Sequence, residues 1–562
     1  METKKISDAL SVGPQLYLTD LAEVAKAGFK SILVNRPDGE GDDQPTFAEV
    51  EADARGYGLE ARYVPVVPGK VADADVEAFA AAVEELPKPI FGFCRTGTRT
   101  TTLWALSQAG SRPLTEILGT AKAAGYDLSG VALRIANGGQ VKTDAPTEKH
   151  QIVVVGGGAA GLAAAASLLA RASDLDIVVI DPADMHYYQP GWTLVGAGVF
   201  TPEQTRKRLA DHVPHGAKLI KAAVVAFDPA NNAVILEGCR VVHYERLIVA
   251  PGLKVDWGAI EGLPETLGKN GVTSNYRYDL ASYTYDLVKS LNGGTALFTQ
   301  PTMPIKCAGA PQKAMYLSCD IWKERGTLGK TKVEFLNAGP GLFGVADYVP
   351  PLMEYVKEYG INLSFGHNLF KIDGPKKIAW FKKTDKDGTV EIVERKFDMI
   401  HVVPPQAPPD FIRVSPLAGE TGWVSVDQAT LRHTKFDNVY SLGDVMNAPN
   451  AKTAAAARKQ APVVAENLLA DMGRSSSQDR AIYDGYGSCP LTVERGKIIL
   501  AEFGYGGKRI PSFPKWLIND LKPSRLAWFL KERLLPPIYW QAMLKGREPM
   551  AKPKHEKIAS AE

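Results

Sequence analysis

The stretch IVVVGGGAAGLAAAASLLARA, residues 152–172, decides the fold of the larger part of this chain. An apolar strand leads into a G-x-G-x-x-G loop, and a helix rich in alanine and leucine follows. The first glycine permits a tight turn, the second lets the backbone approach a pyrophosphate, and the third lets the helix pack on the strand. An aspartate ends the next predicted strand, IVVID, where it can accept hydrogen bonds from a ribose. The pattern predicts a Rossmann-type module that binds a dinucleotide through Gly156, Gly158, Ala159, Ala160, Gly161 and Asp181.

Two later segments favour FAD over NAD as that dinucleotide. YERLIVAPG, residues 244–252, and VYSLGDV, residues 439–445, are predicted strands that end in special turns. In two-dinucleotide flavoproteins such segments contact FAD, and the aspartate of the second one binds the ribityl chain. A simple turn is the alternative, since Gly-Asp pairs are common in turns. The order of the three segments favours the flavin and predicts contacts at Ala250, Gly252, Gly443 and Asp444.

A second glycine motif, GPGLFG at residues 339–344, follows the strand-like VEFLNA and predicts a second Rossmann-type module. It could serve NAD(P)H, but no acidic or basic ribose-binding residue stands in the next strand, NLSFGHN. A retained fold element with an empty groove is therefore favoured. An NAD(P)H-dependent quinone or disulfide reductase stays open as the alternative activity.

Length and composition predict a globular protein of several domains, and the short strands SILVNR, YVPVV and IFGFC, which alternate with helix-like stretches, predict the α/β class. The 562 residues exceed what one core organises, and 45% hydrophobic with 23% charged residues is ordinary for a globular chain. The polar, glycine-containing stretch ANGGQVKTDAPTEKH marks a linker. The predicted order is a small Cys-loop domain at 1–135, the linker at 136–149, a two-dinucleotide-fold oxidoreductase at 150–505 and a helical tail at 506–562.

Charge and composition also limit the partners. A net charge of +2 gives no electrostatic reason to expect nucleic acid. Five cysteines in so long a chain do not form a disulfide framework, so a reactive pair is the better interpretation. The nine histidines lack metal-ligand spacing, and we expect no metal. The N-terminus has no apolar signal core, and no apolar run is long enough to span a bilayer.

The chain resembles the sulfide:quinone oxidoreductases, in particular the branch that includes the mitochondrial enzymes. The resemblance covers about 150–548 and is carried by five long strings, MHYYQPGWTLVGAG (185–198), KCAGAPQKAMYLS (306–318), VVPPQAPPDF (402–411), AKTAAAA (451–457) and YDGYGSCPL (483–491). It implies FAD, sulfide and quinone. It also implies that Cys307 and Cys489 are the redox cysteines and that further flavin contacts are Gln189, Val224, Lys452 and Thr453.

The resemblance implies a mechanism in which hydrosulfide attacks a Cys307–Cys489 disulfide, or a sulfur-bridged form of it. One cysteine is left as a persulfide and the other as a thiolate, whose electrons pass through the flavin to quinone. The sulfane sulfur then leaves to sulfite, glutathione or another thiol. The thiolate needs a depressed pKa, and Lys306 beside Cys307 could supply the charge, although a solvated lysine is equally compatible.

The tail FPKWLINDLKPSRLAWFLKERLLPPIYWQAMLKGREP, residues 513–549, interleaves aromatic and leucine residues with basic ones. It is too interrupted to span a membrane, and the pattern is typical of helices that lie in the interface. An ordinary helical pair packed on the body is the alternative. With the resemblance, the pattern favours a peripheral protein on the cytoplasmic face of a bacterial inner membrane.

FGFCRTGTRTTTLWAL, residues 91–106, predicts a strand, a loop and a helix with Cys94 at the strand end. Loop amides and the helix start would form an anion cradle that activates the thiol. Residues 1–135 resemble a small phosphatase-like domain found beside sulfur-metabolism enzymes. Tyrosine phosphatases place five residues between Cys and Arg, whereas four separate Cys94 from Arg99. The shorter loop favours a rhodanese-like sulfur transfer over phosphatase activity, and a regulatory role without turnover also stays open.

Overall fold

The computed structural model describes residues 2–141, 147–475 and 479–557, and the chain folds into two compact units. The first unit comprises 1–150, 222–244 and 410–422, and the second comprises 151–221, 245–409 and 423–562. Residues 142–146 of the predicted linker and 558–562 of the predicted tail lie outside the described residues. The domain limits drawn from the sequence therefore stay predictions.

A five-stranded sheet forms the centre of the first unit. Its strands run in the order Lys4–Lys5, Leu10–Gly13, Ile90–Phe93, Ser31–Val34 and Glu60–Tyr63, and only the first pair is antiparallel. The two central strands are buried at every residue, as expected of parallel strands covered by helices on both faces. The helices are Leu21–Lys26, Phe47–Gly56, Asp73–Glu85, Thr98–Ser107, Leu114–Ala123 and Ala132–Ala136.

Later segments of the chain join this first unit. They contain the antiparallel strands Val224–Asp228 and Ala233–Leu236, the start of strand Val241–Val249, and the short helix Asp410–Arg413. Ala226, Ile235 and Val414 belong to the same hydrophobic cluster as Leu118 and Ala132. No local sequence pattern announces this association, because it depends on residues nearly 300 positions apart.

The second unit contains two Rossmann-type sheets, which confirms the predicted α/β class. In the first sheet, strand Thr147–Val155 pairs in parallel with Ile177–Ile180 through residues 152–155, and Ile177–Ile180 pairs with Ala217–Ile220. Val241–Val249 pairs in parallel with Val439–Ser441 through residues 247–249. The glycine loop leads directly into helix Ala159–Arg171.

The second sheet is parallel throughout. Its order is Val272–Thr273, Met399–His401, Gly294–Gln300, Thr331–Asn337 and Asn362–Phe365, and its helices are Tyr278–Ser290, Ala310–Glu324 and Val349–Tyr359. An antiparallel sheet of His367–Asp373, Ile378–Thr384 and Val390–Lys396 follows. The long helix Ala454–Asp471 is capped by Thr453, whose side chain accepts a hydrogen bond from the Ala456 amide.

The C-terminal part adds a β-hairpin and a helical segment. Strands Gly487–Glu494 and Lys497–Phe503 pair in antiparallel fashion and form what we call the 487–503 hairpin. Helical turns follow one another from Arg525 to Lys545, as Arg525–Phe529, Leu530–Leu534, Leu535–Pro537, Ile538–Ala542 and Met543–Lys545. Strand Lys554–Glu556 pairs with Arg480–Ile482. Across the described ranges, no helix is long and apolar enough to traverse a bilayer.

Candidate active site

A cavity of about 470 Å³ in the second unit gathers most of the residues predicted to hold the dinucleotide. Gly156 and Gly161 show why side chains are excluded at two positions of the first loop. A Cβ on Gly161 would lie 1.9 Å from the Gly156 carbonyl oxygen, and one on Gly156, where φ is +104°, would lie 2.4 Å from the Ala250 carbonyl oxygen. A Cβ on Gly158 would meet open space, because this position faces the cavity. The second glycine therefore leaves the ligand's side of the loop free, as the fingerprint requires.

Eleven of the fourteen predicted cofactor contacts line this cavity. They are Gly158, Ala159, Ala160, Asp181, Gln189, Ala250, Gly252, Gly443, Asp444, Lys452 and Thr453. Gly156 and Gly161 serve the packing of the loop instead. Val224 lies in the first unit, at the start of strand Val224–Asp228, and its assignment as a flavin contact stays a prediction.

The polar groups of the cavity fit a dinucleotide such as FAD. Asp181 accepts hydrogen bonds from the amides of Gly157 and Ala183 at 2.7 and 2.8 Å, which fixes its carboxylate beside the glycine loop. Asn275, Trp192 and Thr193 line the cavity and carry buried polar atoms without a protein partner, namely both amide atoms of Asn275, Trp192 Nε1 and Thr193 Oγ1. Buried polar atoms are normally hydrogen-bonded, so a water molecule or a polar ligand is the expected partner of these atoms.

The structure brings together the two cysteines that lie 182 positions apart in the sequence. Cys307 Sγ and Cys489 Sγ are 3.8 Å apart, and both thiols are free. Cys307 precedes helix Ala310–Glu324 and has a φ of +48°, in the left-handed region that non-glycine residues rarely adopt. Its amide donates to the Lys452 carbonyl oxygen at 2.9 Å, and the Tyr276 hydroxyl donates to its carbonyl oxygen at 3.2 Å. These contacts hold the strained backbone and aim the sulfur at the cavity that it lines.

The electrostatics of the pair divide the roles of the two sulfurs. A hydrogen bond from Cys489 and the positive charge of Lys313 hold the pKa of Cys307 well below its ordinary value, against the opposing effect of burial. Lys313 Nζ donates to Cys307 Sγ at 3.1 Å. The same hydrogen bond to Cys307, together with burial, raises the pKa of Cys489 well above its ordinary value. The lysine contact and these two directions favour Cys307 as the thiolate of the pair and Cys489 as its protonated partner.

Two lysines at this site were not identified from the sequence. Lys313 lies six positions after Cys307 and is the fourth residue of helix Ala310–Glu324. Helical side chains tilt toward the N-terminus of their helix, and that of Lys313 reaches the sulfur of Cys307. Lys531 comes from the C-terminal helical segment, is 5% exposed, and donates to Thr492 Oγ1 at 2.9 Å. Burial and the nearby charge of Lys313 depress the pKa of Lys531. It belongs to the basic, amphipathic stretch at 513–549, and only the fold reveals that it is buried.

Lys306 does not make the contact with Cys307 that the sequence suggested. Its Nζ donates to Gln189 Oε1 at 2.7 Å and lies over the rings of Trp192 and Tyr276. Burial lowers the pKa of Lys306 to about 8. Lys306 thus donates a hydrogen bond to Gln189, whereas Lys313 donates one to the sulfur of Cys307.

The second glycine motif has a different surrounding from the first. The Gly339 amide donates to Asn337 Oδ1 at 2.8 Å, and the carbonyl oxygen of Leu342 accepts from the side chain of Gln312. The helix that follows, Val349–Tyr359, carries Pro350 in its first turn, and Pro351 comes next. Proline has no N–H, so this helix start lacks donors that would hold a pyrophosphate.

The Cys94 loop lies in the first unit, between strand Ile90–Phe93 and helix Thr98–Ser107. The Gly97 amide donates to Cys94 Sγ at 3.2 Å, and Cys94 is buried. Arg99, the second predicted residue of this site, donates from Nη1 and Nη2 to the two carboxylate oxygens of Glu40 at 2.8 and 2.7 Å. This fork holds the pKa of Glu40 below its ordinary value and fixes the guanidinium beside the loop.

Comparisons with known proteins match the N-terminal part of the chain and the following part to two different families. Residues 150–295 match the family described as "Pyridine nucleotide-disulphide oxidoreductase". Residues 2–111 match "Beta-lactamase hydrolase-like protein, phosphatase-like domain". A beta-lactamase hydrolase-like protein of Agrobacterium fabrum is 32% identical over 130 residues, which are 23% of this chain and 30% of that protein.

Two longer relatives each match 71% of this chain. The mitochondrial sulfide:quinone oxidoreductase of Dictyostelium discoideum is 44% identical over 401 residues, 71% of this chain and 86% of that protein. The mouse enzyme of the same name is 34% identical over 71% of this chain and 87% of its own length. The sulfide:quinone oxidoreductase structure from Aquifex aeolicus, at 19% identity and a TM-score of 0.58, covers 72% of this chain and 92% of its own and shares the fold. With its FAD-type cavity and paired cysteines, the chain belongs to the sulfide:quinone oxidoreductase family and carries an additional phosphatase-like domain at its N-terminus.

Proposed function

We propose that this protein oxidises sulfide to sulfane sulfur and passes the two electrons to quinone. The observation that carries the proposal is the Cys307–Cys489 pair, with sulfurs 3.8 Å apart and one of them lining the cofactor cavity. Bound FAD would accept an electron pair from the dithiol and release it to quinone. The cavity residues around Asp181, Asp444 and the first glycine loop would hold that cofactor.

The chemistry of the sulfurs follows from their different pKa values. In the oxidised pair, hydrosulfide attacks the Cys489 sulfur, the S–S bond breaks, and Cys307 leaves as a thiolate. Cys307 is the better leaving group because its pKa is the lower one. The product on Cys489 is a persulfide, whose outer sulfur passes to an attacking thiolate or sulfite. The second thiolate released in this way restores the dithiol, and oxidation of the dithiol by two electrons regenerates the disulfide.

The C-terminal segment supports a proposal of membrane-surface binding. One side of it is buried against the body through Ala527, Tyr539 and Leu544, whereas Phe529 and Leu534 are 49% and 42% exposed. Trp516, just before it, is 84% exposed. Exposed aromatic and aliphatic residues beside basic ones are typical of interfacial helices. We place the protein on the cytoplasmic face of a bacterial inner membrane, where a quinone is available.

Replacing Trp516, Phe529 and Leu534 by serine is expected to release the protein from lipid vesicles. Each side chain contributes apolar area to the interface, so the vesicle-bound fraction falls by about tenfold or more. Co-sedimentation with vesicles of mixed zwitterionic and anionic lipid measures it. The control replaces Val390 and Ile392, which are exposed on strand Val390–Lys396. Equal loss in both variants, or unchanged binding in the first, would count against the tail as the anchor. Truncation is unsuitable because Lys531 and Tyr539 line the cavity.

For the first unit we propose sulfur transfer at Cys94. The Cys94 thiolate attacks the outer sulfur of a low-molecular-weight persulfide, a new S–S bond forms, and the donor leaves as a thiolate. The short loop between Cys94 and Arg99, with the Gly97 amide directed at the sulfur, supports a small ligand over a phosphoryl group. The fusion with a producer of sulfane sulfur supports the same substrate class.

Incubation of the full chain with glutathione persulfide is expected to add the mass of one sulfur atom to the Cys94 peptide. Mass spectrometry after rapid alkylation measures the product, and the Cys94→Ser variant should lack it. Hydrolysis of p-nitrophenyl phosphate is assayed in parallel. Phosphatase turnover that Cys94→Ser abolishes, without any persulfide on Cys94, would assign this unit to phosphate chemistry instead. A chain with neither activity would favour a regulatory role.

A further inference from the structure

The 487–503 hairpin presents different chemistry on its two faces. Cys489 pairs with Ala501 across the hairpin, and both belong to the hydrophobic cluster around helix Ala310–Glu324. Their strand neighbours, Ser488 and Glu502, also form a pair, and both line the cavity. Successive side chains of a strand point to opposite faces. The hairpin therefore carries the sulfur of the redox pair on one face and a carboxylate on the face toward the cavity.

Glu502 is a buried carboxylate in a network of hydroxyl groups. It is 4% exposed, although it lies at a cavity wall. Its oxygens accept hydrogen bonds from the Ser512 amide at 2.8 Å, from Ser512 Oγ at 2.7 Å and from the Tyr486 hydroxyl. Ser512 itself is only partly buried, so its hydroxyl lies between the carboxylate and the surface. The sulfur chemistry described above uses none of these groups.

Apolar side chains line the same cavity as this carboxylate. Phe513, Leu530, Leu535 and Ile538 line the cavity together with Glu502. The same C-terminal segment exposes Phe529 and Leu534 at its outer side. A cavity with apolar side chains and a buried acid fits a ligand with an apolar body and a carbonyl oxygen. Within the proposed function, that ligand is the quinone.

We infer that Glu502 is the proton donor to the quinone. Hydrosulfide gives up two electrons and one proton when it becomes sulfane sulfur, whereas a quinone takes up two electrons and two protons. One proton per turnover therefore comes from the medium. The carboxylate of Glu502 takes this proton from the hydroxyl of Ser512, which recovers one from water, and gives it to a quinone oxygen as the O–H bond of the quinol forms. This inference rests on the proposed function.

The Glu502→Gln variant tests it, because glutamine keeps the shape but cannot give up a proton. The FAD-loaded protein is reduced anaerobically with dithionite and mixed with a short-chain ubiquinone, and the flavin absorbance follows reoxidation. We expect reoxidation about 10²-fold slower than in the wild type, the range in which general acids act. Quinone affinity, measured by fluorescence quenching, and flavin reduction by sulfide should both be unchanged. Added acetic acid should restore part of the rate, an effect that a merely structural role would not produce.

Control variants distinguish a role of Glu502 in proton transfer from a general effect of changing the hairpin. Glu494→Gln removes a carboxylate from the same hairpin, where Glu494 pairs with Lys497, and should reoxidise at the wild-type rate. If Glu502→Gln does not fold, the Tyr486→Phe and Ser512→Ala variants test the inference in its place. Each of them is expected to slow reoxidation several-fold. Reoxidation at the wild-type rate in the folded variants, or equal slowing of sulfide-driven reduction, overturns the inference. Because dithionite replaces sulfide as the reductant, the reoxidation rate is measured independently of whether sulfide reduces the flavin.

Discussion

Replacing either Cys307 or Cys489 by serine is expected to lower sulfide-dependent quinone reduction on the order of 10³-fold or more, since both sulfurs are needed for one two-electron step. A serine hydroxyl neither forms a disulfide nor carries a persulfide. Cys489 does not line the cavity, and the glycine loop is untouched, so both variants should retain FAD. Anaerobic titration with sulfide and then with quinone, followed by the flavin spectrum, measures the loss.

The control for this prediction is Cys239→Ser, which removes a thiol from the other unit. It should behave as wild type. Adding NADH in place of sulfide should leave the wild-type flavin oxidised, because Pro350 and Pro351 remove two amide donors from the helix start after the second glycine motif. Rapid flavin reduction by NADH, or near-normal sulfide turnover in either active-site variant, would contradict the assignment and favour the nicotinamide-dependent alternative.

Replacing Lys313 by methionine is expected to have the second large effect, a slower reduction of the flavin by sulfide. Methionine has a similar length but no charge, so the variant loses the ammonium group 3.1 Å from Cys307 Sγ. The pKa of Cys307 then rises toward its ordinary value, and the thiolate fraction at neutral pH falls. We expect flavin reduction by sulfide about 10- to 100-fold slower at pH 7. Because thiolate forms as pH rises, the variant should regain rate toward pH 9, whereas the wild type, with the lower pKa, should change little over that range.

Stopped-flow reduction by sulfide at a series of pH values measures this prediction. Lys323→Met is the matched control, because Lys323 lies on the same helix but is exposed and pairs with Glu358. It should keep the wild-type rate and pH profile. A Lys313→Met variant that is slow at every pH to the same extent would show that the lysine serves packing rather than the ionisation of Cys307.

The local features of the fold were predictable because they depend on residues close in the chain. The glycine loop at 156–161 follows from steric limits that neighbouring residues impose, and the structure confirms the Rossmann-type module there. The parallel strands of both units follow from short apolar runs, which are buried at both faces. The strings around Cys307 and Cys489 carried a family resemblance that the relatives confirm.

The site's charges were not predictable in the same way. Lys306 is adjacent to Cys307 in sequence but turns to Gln189, whereas Lys313 turns to the sulfur. Lys531, some 220 positions later, is buried near the same pair. A charge acts through distance in space, and a sequence gives distance only along the chain.

The sequence by itself determined the Rossmann-type loop, the FAD-type cofactor segments and the presence of a Cys94 loop, since each is a short pattern with its own steric or chemical requirement. The choice of Cys307 and Cys489 as the redox pair came from the family resemblance. Only the tertiary structure decided which sulfur is the thiolate, which lysine stabilises it, and that Glu502 faces the cavity opposite Cys489. The physical reason is that pKa values and proton routes depend on burial and on groups brought together from distant segments, and these exist only once the chain has folded.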